Sequence, residues 1–116
     1  MTERLTVAER AEHLTALAQT GWGAAPGGRD AIRKVFLFAD FSEAWGFMAR
    51  AALAAEKLNH HPEWFNVWRR VDVTLSTHDA GGLTMLDVRL ARRMDALAGS
   101  AEIDGAAVAP MAGLTG

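Results

Sequence analysis

The chain has 116 residues, which is enough for one domain that buries its own core. Asp and Glu outnumber Lys and Arg by 14 to 12, so the net charge of −2 offers no broad positive surface for nucleic acid. The sequence has no Cys, which excludes disulfides, a thiolate nucleophile and Cys-ligated metal sites. It also has no apolar run suited to a signal peptide or a membrane span, so we expect a cytoplasmic protein with no membrane partner.

The first third of the chain predicts a helix followed by a buried strand. Thr6 and Glu9 have the spacing of a capping box, and apolar residues then recur at helical spacing to about residue 19. The glycine-rich segment "TGWGAAPGGRDA" ends this helix. In the next segment, "AIRKVFLFADF", both alternating sets of side chains are apolar, which indicates a central strand covered on both faces.

A second helix is predicted from Asp40, which suits an N-terminal cap, to Asn59. It carries two apolar stripes. The first comprises Ala44, Phe47, Met48, Ala51, Ala55 and Leu58, and the second comprises Trp45, Ala49, Ala52 and Leu53. One sheet face in a chain this small does not cover both stripes. The helix is therefore either a central core helix or a self-association surface, and we favour self-association.

The last third predicts a hairpin, a helix and a tail. Pro62 stops the second helix, and "WFNVWRRVDVTLSTHD" then reads as two strands around a turn near residues 69–70. Val71, Val73, Leu75 and Thr77 share one strand face, and Asp72, Thr74, Ser76 and His78 share the other. Thr84 with Asp87 caps a last helix that ends at Gly99. Residues 100–116 are rich in Gly and Ala and weakly periodic, so we expect a flexible tail after one domain at residues 1–99.

The predicted order is helix, strand, strand, helix, strand, strand, helix. This order predicts an α+β fold, a four-stranded antiparallel sheet with three helices packed on one face.

Three histidines in the second half of the chain are the candidate functional residues. Glu56 and His60 are four residues apart on the last turn of the second helix, so they share a face, whereas Pro62 pushes His61 towards extended geometry. His78 lies at the polar end of a strand, before a glycine turn. If the helix end and the strand end meet, three imidazoles and a carboxylate converge.

The histidines admit more than one chemistry. A zinc site would use His60, His61, His78 and Glu56, but the HExxH spacing is absent and adjacent histidines rarely bind one metal. Ser76 and Thr77 lack the strained turn that exposes a nucleophile. General acid–base catalysis by imidazole is favoured. Trp22, Trp64 and Phe65 are either walls for a flat heterocycle or core packing, and the cap of the last helix alone accounts for Asp87.

Two segments, "AEKLNHHPEWFNVW" and "VDVTLSTHDAGGLTMLDVRLA", resemble the pterin-4a-carbinolamine dehydratases, a family whose vertebrate member doubles as a transcriptional coactivator. The resemblance covers about residues 6–98. It implies an α+β fold, dimers joined through the sheet edge and a tetramer built around the second helix. It also implies that 4a-hydroxytetrahydropterin loses water to give quinonoid dihydropterin, without metal or organic cofactor, in the recycling that follows aromatic amino acid hydroxylation.

The resemblance assigns roles to residues. His61 binds the pterin and acts as base, His60 and His78 act as acids on opposite sides of the ring, and Glu56 and Asp87 hold the imidazoles. The substrate-binding candidates are Trp22, Asn59, Pro62, Trp64, Ser76, Thr77 and Asp79. Asn59 stands where animal relatives have aspartate, which removes a negative neighbour of the imidazoles and leaves the balance of acid and base roles open. Trp68 replaces a commoner tyrosine.

The resemblance leaves a second function open. A non-enzymatic dimerisation or coactivator protein would use the second helix to hold its partner. In the enzymatic interpretation, a pterin is the substrate and an aromatic amino acid hydroxylase is a possible partner. In both interpretations we expect a homodimer or homotetramer and no nucleic acid partner.

Overall fold

A five-stranded antiparallel sheet organises the protein, which a computed structural model describes from residue 3 to residue 115. Its strands are β1 (Gly23–Ala24), β2 (Ile32–Leu37), β3 (Glu63–Val67), β4 (Arg70–Leu75) and β5 (Glu102–Ile103). The path runs β1-β2-β4-β3, and β5 pairs with β2. Because β4 pairs with β2 along its whole length, β1 and β5 share the other edge of β2.

Within residues 3–115, four helices accompany the sheet. Helix α1 is continuous from residue 7 to residue 18 and widens to π geometry over Arg10–Leu14. Helices α2 (Phe41–Leu58) and α3 (Met85–Ala98) are regular, and α4 (Ala112–Thr115) is a single turn. No helix in the described part of the chain is long and apolar enough to cross a membrane.

The helices cover the face of the sheet that is apolar on its two middle strands. Ile32 and Phe36 of β2 pair with Leu75 and Val71 of β4, and all four side chains are buried. Lys34 lies on the same face, where its ammonium pairs with Asp95 of α3 at 2.7 Å and lies 4.5 Å from the centre of the Phe36 ring. These contacts bury an amphipathic side chain by pairing its charge.

Most of the local predictions are confirmed. Thr6 and Glu9 form the predicted capping box, the Asp40 side chain accepts from the Glu43 amide, and β2 is covered on both faces, since Val35 is buried as well as Phe36. The fold class is α+β with helices on an antiparallel sheet, as predicted. The sheet has one strand more than predicted, and there is one additional short helix.

The C-terminal tail differs from its prediction. Residues 100–115 lie along the sheet instead of forming a flexible tail. Strand β5 pairs with the end of β2, Asp104 pairs with Arg70 at 2.8 Å, and Met111 joins the core. Backbone groups of the segment also take part in hydrogen bonds: the Asp104 amide donates to the Val35 carbonyl, Ala24 and Ala109 exchange two bonds, and the Arg33 guanidinium donates to the Ala107 carbonyl. Such bonds need no hydrophobic periodicity, so the composition of the segment does not reveal them.

Helix α2 presents its two stripes to different surroundings. The first stripe is confirmed as core, with Ala44, Phe47, Ala51 and Ala55 buried. The second is uncovered, and Trp45 and Leu53 are 60% and 74% exposed. An exposed apolar stripe of this kind is typical of an interaction surface.

Candidate active site

The junction after α2 separates the two adjacent histidines. Asn59 ends the helix in the left-handed conformation, with φ of +50° and ψ of +43°. Asn is one of the few non-glycine residues that adopts this conformation readily. The chain reverses there, so His60 turns into the protein, with its amide bonded to the Ala55 carbonyl, and His61 turns out, 59% exposed at the side chain. The reversal begins at Asn59, before Pro62.

His60 belongs to a buried polar network. Its Nε2 lies 2.6 Å from Asp87 Oδ1, and Asp87 is fully buried at the start of α3. The other carboxylate oxygen accepts from the Thr77 hydroxyl at 2.8 Å and from the Thr84 amide at 2.9 Å. The carboxylate that caps α3 therefore also holds the imidazole, and every polar group of this network has a partner.

His61 pairs with Glu56 on the solvent side of the junction. The distance from His61 Nε2 to Glu56 Oε1 is 2.7 Å, and both side chains are exposed. The ring stays near the end of α2 without being enclosed. An imidazole placed in this way can exchange protons with solvent.

His78 opens a short 3₁₀ turn, His78–Ala80, just after β4. Its side chain is 81% exposed, and Nε2 lies 3.3 Å from Glu63 Oε2. Glu63 also accepts two hydrogen bonds from Arg29, at 2.9 and 2.8 Å. The hydrogen bonds from Arg29, and to a lesser extent the one from His78, lower the pKa of Glu63 to about 2, although burial acts in the opposite direction.

The three imidazoles border one cavity of about 620 Å³, a size suited to a small heterocycle. Nine residues line it: Leu58, Asn59, His60, His61, Ser76, Thr77, His78, Asp79 and Leu86. The pairing of β3 with β4 explains the convergence. Glu63 lies opposite Thr74, and extending that register brings residues 59–61 opposite residues 76–78.

Three predicted substrate-binding residues do not line this cavity. Trp22 is buried in the core against Phe36, where its Nε1 donates to Asp95 at 3.0 Å, so its assignment to the pocket does not agree with the structure. Trp64 packs against the core from β3, and Pro62 follows the histidines outside the lining. Trp22 lies just before β1 and Trp64 lies on β3, and both indoles pack with the core.

Two residues that the sequence did not single out complete the site: Arg29 and Glu63 support His78. Thr84, predicted only as a helix cap, supports Asp87. Glu63 is the first residue of β3, two positions after His61, so the hairpin register is a signal that would have found it. Each imidazole thus has its own carboxylate. Within residues 3–115, no three His, Asp or Glu side chains are grouped closely enough to hold a metal ion.

Comparison with known proteins identifies the family. The family model "Pterin 4 alpha carbinolamine dehydratase" matches residues 3–97. The chain belongs to this family. Two bacterial relatives carry the name pterin-4-alpha-carbinolamine dehydratase. The one from Bradyrhizobium sp. strain BTAi1 is 59% identical, and the match covers 86% of this chain and 98% of the relative. The one from Burkholderia multivorans is 57% identical, and the match covers 87% of this chain and 96% of the relative.

A solved structure shares the fold as well as the sequence. The crystal structure described as a transcriptional coactivator/pterin dehydratase from Brucella melitensis superposes with a TM-score of 0.77 and is 58% identical. It covers 84% of this chain, and its whole length is matched. Because the family model ends at residue 97, the segment that carries β5 and α4 lies outside the family match.

Proposed function

We propose that this protein catalyses the dehydration of pterin-4a-carbinolamine to quinonoid dihydropterin. Membership of the dehydratase family supports the reaction class. The observation that carries the proposal is the cavity bordered by three imidazoles, each paired with a separate carboxylate. Imidazole is the side chain best suited to exchange protons at neutral pH, and paired carboxylates fix its orientation.

The reaction needs one base and one acid. The base removes the proton from N5, the electron pair forms the C=N bond between N5 and C4a, and the C4a–O bond breaks as the acid protonates the departing hydroxyl. The products are quinonoid dihydropterin and one water molecule. In our proposal His61 is the base, because it is exposed and can release the proton to solvent.

His60 and His78 are the proposed acids. They approach the cavity from its buried side and its open side, so each could serve a hydroxyl on a different face of the ring. Glu56 and Asp87 orient the imidazoles of His61 and His60. The proposed substrate contacts come from the residues that line the cavity between the histidines, Asn59, Ser76, Thr77 and Asp79.

The proposed substrate places the protein after a hydroxylation. A 4a-hydroxytetrahydropterin is the product of pterin-dependent aromatic amino acid hydroxylation, so the enzyme would serve cofactor recycling beside such a hydroxylase in the cytoplasm. The proposed residues supply both proton transfers, and the proposal includes no metal or organic cofactor.

We also propose self-association into a homodimer or homotetramer. The exposed stripe of α2 with Trp45 and Leu53 offers one surface. Strand β3 lies at the sheet edge and exposes Phe65 and Val67, which offers a second. Sedimentation analysis of Leu53→Glu and Phe65→Glu variants would separate the two surfaces. A monomeric wild-type protein at micromolar concentration would contradict this part of the proposal.

The proposed reaction is tested with substrate generated in situ. A phenylalanine hydroxylase makes 4a-hydroxytetrahydropterin, and we expect this protein to accelerate its disappearance. His61→Ala should lose most of that rate, on the order of 10²-fold or more, while circular dichroism shows an intact fold. Absence of acceleration by the wild type would rule out the enzymatic proposal.

A coactivator-type binding function is the second candidate. The description of the Brucella melitensis relative as a transcriptional coactivator and the exposed stripe of α2 favour it. The two functions predict different sensitivities. Binding of a partner protein should survive His61→Ala and fail in Leu53→Glu, whereas dehydration depends on the histidines.

A further inference from the structure

The loop between β1 and β2 carries two charged residues, Arg29 and Asp30, that reach the surroundings of His78 from two sides. We propose that this pair, called here the Arg29–Asp30 clamp, positions His78 for proton transfer. The inference rests on the proposed function, in which His78 is an acid. Neither residue lines the cavity, so both act through other groups.

Asp30 fixes both ends of the loop that carries His78. Its carbonyl accepts from the Ser76 hydroxyl at 2.9 Å, and its carboxylate accepts from the Leu83 amide at 3.0 Å. Arg10 of α1 holds the same carboxylate with two hydrogen bonds of 2.6 and 2.8 Å, which lowers the pKa of Asp30. The loop is therefore attached before and after His78 to one anchored residue.

The close approach of Asp30 to the loop depends on a glycine. A Cβ on Gly82 would collide with the Asp30 carboxylate and contact the Arg4 side chain. Gly82 and Thr77 also exchange backbone hydrogen bonds of 3.0 and 3.2 Å, which close the loop on itself. The loop and the carboxylate thus fit each other without space for another side chain.

Arg29 acts on the His78 imidazole through Glu63. Its two hydrogen bonds hold the Glu63 carboxylate, whose Oε2 lies 3.3 Å from His78 Nε2. A bidentate guanidinium fixes the orientation of a carboxylate as well as its charge. Glu63 is thereby kept as an oriented anion beside the His78 ring.

His78 needs such support because burial does not provide it. Its side chain is 81% exposed and starts a turn of only three residues. Acid catalysis requires the donor within hydrogen-bond distance of the leaving oxygen, and misplacement by about 1 Å can cost on the order of 10²-fold in rate. Hydrogen bonds from outside the cavity supply the orientation that packing supplies for His60.

The test uses Arg29→Gln and Asp30→Asn, with Arg33→Gln as matched control. Arg33 also forms a bidentate pair, with Asp72 at 2.9 and 2.6 Å, but on the outer face of the sheet. We expect kcat to fall about tenfold in Arg29→Gln with KM changed less than about threefold, and kcat to stay at the wild-type value in Arg33→Gln. In Asp30→Asn, the Leu83 amide should exchange its hydrogen at least about tenfold faster.

A charge exchange separates positioning from simple stabilisation. The double variant Arg29→Glu with Glu63→Arg restores the ion pair but places a cation beside His78. We expect stability to return and kcat to remain low. Recovery of kcat in the double variant would overturn the proposal, because it would show that only the ion pair matters. The proposal would also be overturned if Arg29→Gln and Asp30→Asn had the same kcat as the control variant Arg33→Gln.

The outcome stays decisive if the proposed reaction is wrong. If the wild-type protein has no dehydratase activity, the proposed function is wrong, but two structural measurements still test whether the Arg29–Asp30 clamp positions His78. These are the exchange rate of the Leu83 amide and the nuclear Overhauser contacts between the His78 ring and Glu63. An unchanged exchange rate of the Leu83 amide in Asp30→Asn, together with unchanged His78–Glu63 contacts in Arg29→Gln, would overturn the proposal. Faster exchange in the first variant and weaker contacts in the second would support it.

Discussion

His60 and His78 face the same cavity but are held by opposite means. His60 is buried and bound to a carboxylate that also caps a helix, so its orientation is part of the folded core. His78 is exposed and is oriented by a surface carboxylate shared with Arg29. Stability and chemistry are therefore coupled on the buried side and separable on the open side.

The largest effect is expected for Asp87→Ala. The change leaves the Thr84 amide and the Thr77 hydroxyl without their acceptor in a buried region and releases His60. We expect the free energy of unfolding to fall by about 2–4 kcal/mol and the dehydration rate to fall with it. Urea denaturation and the coupled assay measure both. If Asp87→Ala lost activity but kept its stability, stability and activity would not be coupled at His60.

A smaller effect on the same side is expected for Thr77→Val, which keeps the shape of the side chain. It removes the hydroxyl that donates to Asp87 at 2.8 Å. The free energy of unfolding should fall by about 1–2 kcal/mol, since one buried carboxylate oxygen loses a donor. Thr77→Ser keeps the hydroxyl and should retain most of the stability. If both variants melt at the same temperature, the hydroxyl has no role in the network.

On the open side, His78→Ala should change activity without changing stability. The imidazole is mostly in solvent, so we expect the free energy of unfolding to stay within about 0.5 kcal/mol of wild type. The rate on one stereoisomer of the substrate should fall about 10²-fold, because one of two acids is lost. Stereochemically resolved substrate and urea denaturation check both statements. A clear loss of stability would place His78 with the core instead.

The smallest effect is a difference in acid sensitivity between wild type and Arg29→Gln. The pKa of Glu63 is lowered from 4.5 to about 2 in the folded protein, so its stabilising contribution is complete above about pH 4.5 and disappears as the pH falls through about 2. Arg29→Gln removes the main cause of that shift. The stability difference between the two proteins should therefore narrow between pH 4.5 and 2 in urea titrations. If the difference in stability stayed constant over this pH range, the Arg29–Glu63 ion pair would not contribute to stability.

The sequence predicted those parts of the site that depend on local spacing. Helix caps, strand alternation and the helix ends near Asn59 and Gly99 follow from neighbouring residues, and His78 lies just beyond a strand as predicted. The prediction for His60 was wrong: it was expected on the last helical turn beside Glu56, but the helix ends at Leu58 and Glu56 pairs with His61. Arg29 and Glu63 were missed because they are 34 residues apart and lie on the protein surface, where no periodicity marks a pair. Trp22 was placed in the pocket because size and aromaticity do not tell a core indole from a pocket wall.

The tail was missed for a different reason. Ala and Gly provide little side-chain area, so the usual signal of burial is weak even for a segment that pairs with β2. Within residues 100–115, Met111 is the one large hydrophobic residue that is buried. What holds the segment is mainly the set of donors and acceptors left free along the β2 edge, which becomes known only once the sheet is assembled.

The shape of the cavity depends on the left-handed backbone conformation of the residue that ends α2. Asn59, at φ of +50°, has the backbone conformation that a D-amino acid prefers, and the two imidazoles diverge from that point. The divergence therefore depends on the mirror-image sense of one residue and not on its amide group. A semisynthetic chain with D-alanine at this position should therefore keep both histidines in place. In the natural chain the side chain of Asn59 lines the cavity.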